Sequence, residues 1–144
     1  MARFTLTRRS PLPAPDTWAR LTAWPRHGDR VPFTRVAAVR GTGRAVGDVI
    51  LARTGVGPVR FDDPMEITAL TEPELCRLEK RGRVVRGHAE LRVRAMGAGS
   101  EAVWAEELRI TGLPRFFDPV VASAARFVFG RVLDHLLACA PATD

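Results

Sequence analysis

Residues 118–138 read DPVVASAARFVFGRVLDHLLA, and this stretch decides the fold. At about 100° per residue, Val121, Ala125, Val128, Phe129, Val132 and Leu136 fall on one stripe. Leu133 and Cys139 flank that stripe, and Arg126, Arg131, Asp134 and His135 lie on the other side. Asp118 is a good N-cap and Pro119 suits the first helical position, so the spacing predicts a helix from Asp118 to about Ala138. A long amphipathic helix that closes a strand-rich chain has to bury its stripe against a sheet. A sheet that curves around it leaves a cavity between the two.

The chain upstream alternates between strand patterns and breakers. Arg3–Arg9 reads as a strand with Phe4 and Leu6 on one face. After Pro11, Pro13 and Pro15, a short helix starts at Asp16, carries Trp18, Leu21 and Thr22 at helical spacing and ends near Trp24. Pro25–Arg30 reads as one more helical turn. Strands are expected at Phe33–Arg40 and Arg44–Arg53, joined by a compact hairpin at Gly41-Thr42-Gly43. Val59–Asp62 and Met65–Leu70 follow, with a kink or bulge at Asp63-Pro64. Glu74–Lys80 and Arg83–Ala95 flank Arg81-Gly82, and Gly97–Ser100 turns the chain into Glu101–Ile110. The expected fold class is α+β: a curved antiparallel sheet of about seven strands around the C-terminal helix, with two short helices after strand 1, as one domain over residues 1–144.

Composition excludes several classes. An apolar content of 46% with 26% charged residues belongs to a globular chain. No window approaches ~18 uncharged apolar residues, so no stable membrane insertion is expected. Residues 2–9 alternate and carry arginines where a signal peptide needs an apolar core, which points to the cytoplasm. The formal net charge is +6, but the arginines are scattered at alternate strand positions and no aromatics are interleaved with them to stack bases. Nucleic acid is therefore not expected as a partner. Cys76 and Cys139 lack metal-ligand spacing and read as small, reduced, buried side chains. His27, His88 and His135 share no such spacing either, so no metal and no cofactor is expected. The protein reads as a monomer or a homodimer, with strand edges near Phe4 or Val59 available for pairing.

Strand phase picks out the site. In Arg83–Ala95 the odd positions Val85, Gly87, Ala89, Leu91 and Val93 are apolar or small and face inward. In Glu101–Ile110 the inward set is Ala102, Trp104, Glu106, Leu108 and Ile110, so it contains one carboxylate. Glu106 must then pair with an arginine, take a raised pKa or line a wet cavity. It is the candidate polar anchor or general acid/base of an apolar pocket, or else a strand-end glutamate in a structural ion pair near the cavity mouth. Trp104 could stack on a flat ligand. Asp48 shares its phase with Val46, Ile50 and Ala52, and Arg40 shares its own with Val36 and Ala38. The two are a second possible carboxylate–arginine pair in the cavity, or a surface pair beside a turn. His27 could border a pocket entrance. Gly41-Thr-Gly43 is not a phosphate loop, because it joins strands and lacks the Gly-Lys-Ser/Thr ending. No serine occupies a nucleophile elbow.

The order of short signatures is more specific than any one of them. PAPDTWARLTAWPRH, VPFTRV, the Gly-Thr-Gly hairpin, FDDPMEIT, GRVVRGHAELRV, AVWAEELRI and the final helix together resemble the START-like (SRPBCC) superfamily, particularly its bacterial polyketide cyclase/dehydrase and lipid-transport branch. The resemblance covers nearly the whole chain. It implies the helix-grip fold, in which a seven-stranded sheet wraps the last helix around an elongated cavity for an apolar ligand. In aromatase/cyclase members that cavity steers a poly-β-ketone chain, and polar side chains promote enolisation and loss of water. Only cavity-facing positions carry over: Trp104 and Glu106, then Arg40 and Asp48. Val36, Ile50, Ile67, Ala89, Leu91, Val128 and Val132 complete the expected lining. Three functions compete: a carrier of an apolar or amphipathic small molecule, a cyclase-like enzyme with Glu106 as acid/base, and a protein-interaction module without a ligand. The absence of tyrosine and the few inward hydroxyls count against a dedicated cyclase.

Overall fold

Strand β1 (Ala2–Ser10) leads into helix α1 (Ala14–Leu21) and a 3-10 turn at Trp24–Gly28. Six strands follow: β2 (Thr34–Arg40), β3 (Val49–Val56), β4 (Val59–Thr71), β5 (Leu75–Arg81), β6 (Val85–Met96) and β7 (Gly99–Ile110). A 3-10 turn at Arg115–Phe117 then opens helix α2 (Asp118–Ala138). This computed structural model describes residues 2–138, so Cys139 lies outside the described residues. All seven strands form one antiparallel sheet in the order β1-β7-β6-β5-β4-β3-β2. The α+β class, the two short helical pieces after strand 1 and the long closing helix are those the sequence predicts. The arrangement is the helix-grip fold.

Amphipathic alternation explains the sheet's two faces. On β7, Ala102, Trp104, Glu106 and Leu108 are buried, as the strand phase requires. On β6, Ala89, Leu91 and Val93 are buried. The outer face carries arginine–carboxylate pairs such as Arg77–Glu90 at 2.9 Å and Arg94–Glu101 at 2.8 Å. Exposed pairs of this kind contribute at most about 1 kcal/mol each. Helix α2 divides along its length. Val132, Leu133 and Leu136 are fully packed against the sheet, while Val121, Val128 and Phe129 are only partly buried. Near β1, a hydrogen-bonded chain of hydroxyls, Ser100 to Thr17 at 2.7 Å and Thr17 to Ser10 at 2.9 Å, docks α1 onto β1 and β7.

Several local expectations give way to the structure. Helix α1 starts at Ala14 rather than Asp16, with Pro13 as its N-cap, because Pro15 fits a first turn that needs no N–H donor. It ends at Leu21, three residues short of Trp24. Strand β4 passes through Asp63-Pro64 without a break, and its irregularity lies between Ile67 and Ala69. Strand β3 starts at Val49, not at Arg44, so the hairpin after β2 is a long loop over residues 41–48. Val46 is accordingly exposed. A register shift between Ala38 and Arg40 ends the regular phase of β2, and Arg40 is exposed. The sheet's edges are β1, which carries Phe4, and β2. Val59 is on β4, between β3 and β5, and offers no edge.

Candidate functional site

Between the concave face of the sheet and the first half of α2 lies a cavity of about 470 Å³. Its wall is mostly aliphatic and aromatic. Val36, Ile50, Ala52, Met65, Leu78, Ala89 and Leu91 line the sheet side, and Val120, Val121, Ala125, Val128 and Phe129 line the helix side. Phe61 and Val120 are both lining and solvent-exposed, which marks the mouth between the β3–β4 hairpin and the start of α2.

An aromatic ladder closes the other side. Ring centroids are 5.1 Å apart for Trp24–His27, 5.6 Å for His27–Trp104 and 5.1 Å for Trp104–Phe129. Phe129 in turn stacks on Phe4 at 5.6 Å. Separations in this range are those that offset and edge-on ring pairs prefer. The Trp24 indole donates to the Gly43 carbonyl over 2.9 Å, tying the ladder to the loop over 41–48. Gly43 has φ +80, and a Cβ there would sit 2.6 Å from the Trp24 ring, so glycine is required on both counts. Asp48 holds that loop: its Oδ2 accepts the backbone N–H groups of Thr42, Gly43 and Arg44 at 3.1, 2.9 and 3.2 Å.

The polar end of the cavity centres on a residue that the sequence reading did not single out. Lys80, the one lysine in the chain, is only 8% exposed. Its Nζ lies 2.8 Å from Asp63 Oδ2, 3.3 Å from Glu106 Oε2 and 3.6 Å from Met65 Sδ. Burial disfavours the ammonium, but Glu106 and Asp63 beside it more than offset that, and its pKa is held above the ordinary lysine value. Lys80 is therefore a fixed cation at neutral pH and not a free amine. Trp104 Nε1 donates to Glu106 Oε1 over 3.0 Å. Asp63 Oδ1 and Glu106 Oε2 are buried and accept no hydrogen bond. One ammonium thus faces two carboxylates that keep unused acceptor capacity in an apolar wall.

His27 is held neutral. Desolvation lowers its pKa to about 4, against the opposing hydrogen bond to the Leu21 carbonyl. That bond, at 2.7 Å, needs a hydrogen on Nε2, so Nδ1 keeps its lone pair as an acceptor. His88 pairs with Glu107 at 3.7 Å on the outer face, and His135 bonds Asp29 at 3.0 Å. Among the described residues, no three His, Cys, Asp or Glu side chains stand together as a metal site.

The structure brings most of the expected lining together. Trp104, Glu106, Val36, Ile50, Ala89, Leu91 and Val128 all border the cavity, as does His27. Four residues do not. Ile67 and Val132 are packed solidly behind the wall. Asp48 is consumed by its loop, and Arg40 points to solvent beyond the shift in β2. The neutralising cation for Glu106 is a lysine from β5, not an arginine.

No curated protein sequence matches the chain. Solved structures match in shape. The Zhui aromatase/cyclase from Streptomyces sp. R1128 is 14% identical, with 94% of this chain and 91% of that chain covered at a TM-score of 0.68. Ara h 8.0201 is 15% identical, with 95% and 98% covered at 0.66. TTHA0849 from Thermus thermophilus is 12% identical, with 96% and 99% covered at 0.69. At these identities the likeness establishes the fold. The family described as polyketide cyclase/dehydrase and lipid transport matches residues 1–139, which is nearly the whole chain, and the chain belongs to that family.

Proposed function

We propose that this protein is a cytoplasmic carrier that holds an apolar or amphipathic small molecule between its sheet and α2. The observation that carries this reading is the cavity of about 470 Å³, apolar around most of its wall and polar at one end. Such a volume and such a distribution of polar groups are what small-molecule pockets have. The cavity is not filled by the protein's own side chains, as an interaction module without a ligand would require. Among the described residues no helix is long and apolar enough to cross a membrane.

Native mass spectrometry of the purified protein, followed by solvent extraction, tests the proposal. A stoichiometric apolar compound is the expected result. A protein that is empty, and that no panel of apolar compounds stabilises against heat, overturns it.

A second reading, a cyclase-type enzyme, is favoured by one observation: Glu106 Oε2 accepts no hydrogen bond while lying 3.3 Å from an ammonium. A carboxylate in that position could take a proton from the carbon beside a ketone. On this reading Glu106→Gln abolishes turnover of a poly-β-ketone and spares its binding. Unchanged turnover removes Glu106 from any mechanism.

A further inference from the structure

Among the described residues, every side-chain hydrogen-bond donor on the cavity wall already has a partner within the protein. Trp24 Nε1 donates to Gly43 O, Trp104 Nε1 to Glu106 Oε1 and His27 Nε2 to Leu21 O. Thr34 Oγ1 donates to Pro32 O over 3.0 Å, so the Thr54 hydroxyl, 2.8 Å away, spends its own hydrogen on Thr34. The Lys80 ammonium is held by Asp63, Glu106 and the Met65 sulfur. What remains is acceptor capacity: Asp63 Oδ1, the lone pair of Glu106 Oε2 that is not turned to Lys80, His27 Nδ1 and the lone pairs of Thr54. A buried carboxylate oxygen rarely goes without a hydrogen bond, because one left so costs roughly 1–3 kcal/mol.

We propose that the polar end of the ligand is a hydrogen-bond donor, a neutral hydroxyl such as a phenol or an enol, and that the site disfavours ketones, ethers and carboxylates. This inference rests on the ligand-binding reading above and narrows it. A ketone or ether oxygen finds no free donor on the wall. A carboxylate meets two carboxylates against one ammonium, so it is repelled as well as unpaired. A hydroxyl hydrogen satisfies an orphaned acceptor. The flat ring that carries such a hydroxyl packs against Trp104 and Phe129.

Calorimetric titration of the wild-type protein with three compounds of one shape decides the matter: 9-phenanthrol, 9-methoxyphenanthrene and phenanthrene-9-carboxylic acid. The phenol is expected to bind about tenfold more tightly than the ether, the worth of one buried hydrogen bond, and the acid is expected to bind most weakly. Equal affinity for phenol and ether, or tightest binding of the acid, overturns the donor inference and leaves the ligand-binding reading standing. Failure of all three to bind overturns both. In Glu106→Gln the wall gains an amide donor, and the preference for phenol over ether should shrink toward unity. The wild-type series decides the question whether or not that variant folds.

Discussion

Lys80 and Glu106 meet at 3.3 Å across an intervening strand. Lys80 is on β5 and Glu106 on β7, with β6 between them. Opposite Lys80 on β6 is Gly87, and opposite Glu106 is Ala89. These small residues leave the concave face open, so that two long side chains can join over the top of β6. Asp63, two residues before Lys80's cross-strand partner Met65, completes the group from β4.

Removing the cation isolates two carboxylates in an apolar wall. Lys80→Met should cost about 3–5 kcal/mol in urea unfolding at pH 7, the usual penalty for breaking a buried ion pair from one side. Lys80→Met combined with Glu106→Gln should recover part of the loss. A deficit under 1 kcal/mol would mean that the three groups are solvated.

Gly87 is the structural condition for that bridge. Its φ is +130, and a Cβ there would overlap the Glu107 carbonyl oxygen. Gly87→Ala should therefore destabilise the fold by about 2–4 kcal/mol, with strain and overlap acting together. A loss within 0.5 kcal/mol of Gly97→Ala, a turn glycine with open space around it, would show that β6 can relax.

The helix, the succession of strands along the chain and the inward phase of Glu106 were legible because each rests on a clean period. Lys80 was within reach of the same rule: in β5, Cys76, Leu78 and Lys80 alternate inward. A lysine is so seldom buried that composition hides it, and its two carboxylates come from strands far away in sequence. Asp63 was lost because Pro64 reads as a strand breaker, although β4 runs straight through it. Arg40 and Asp48 were misplaced because strand phase assumes unbroken register. A shift after Ala38 and three backbone N–H bonds to one carboxylate are tertiary facts that alternation does not encode.

His27 should leave a pH signature. Its folded pKa of about 4 lies below the ordinary 6.5, so the unfolded chain takes up the proton first as pH falls. The resulting loss of stability is absent above pH 6.5, grows as pH falls and is complete near pH 4. His27→Gln keeps a donor for Leu21 but does not titrate. Between pH 7 and 4.5 the wild type should lose about 2 kcal/mol more than the variant. Parallel losses would place His27 in contact with water.

Asp48 and Arg40 separate in the same experiment. Asp48→Ala strips three backbone N–H groups of their acceptor and should cost about 1–3 kcal/mol. The damage should reach Trp24 through Gly43, visible as a change in tryptophan fluorescence. Arg40→Ala, exposed and outside the cavity, should alter neither stability nor ligand affinity by more than about 0.5 kcal/mol. A strong effect of Arg40→Ala on affinity would return it to the site.

Filling the cavity from the helix side tests whether the cavity itself is where ligand binds. Ala125 is buried, lines the cavity and sits between Val121 and Phe129 on the stripe that faces the sheet. Leucine there suits the helix and points its added carbons into empty space, so the overpacking cost of about 1–3 kcal/mol met in filled cores should not apply. Ala125→Leu should leave the melting temperature unchanged or higher, because the new methyl groups are buried. The same carbons occupy cavity volume beside the Trp104–Phe129 pair, against which a flat ligand would lie, so affinity should fall at least about tenfold. Undiminished affinity in a stable Ala125→Leu protein would place the ligand elsewhere on the molecule. Loss of affinity together with loss of stability would instead mean that the cavity is already tight at Ala125, and Val128→Phe, nearer the middle of the same helix face, would then repeat the test.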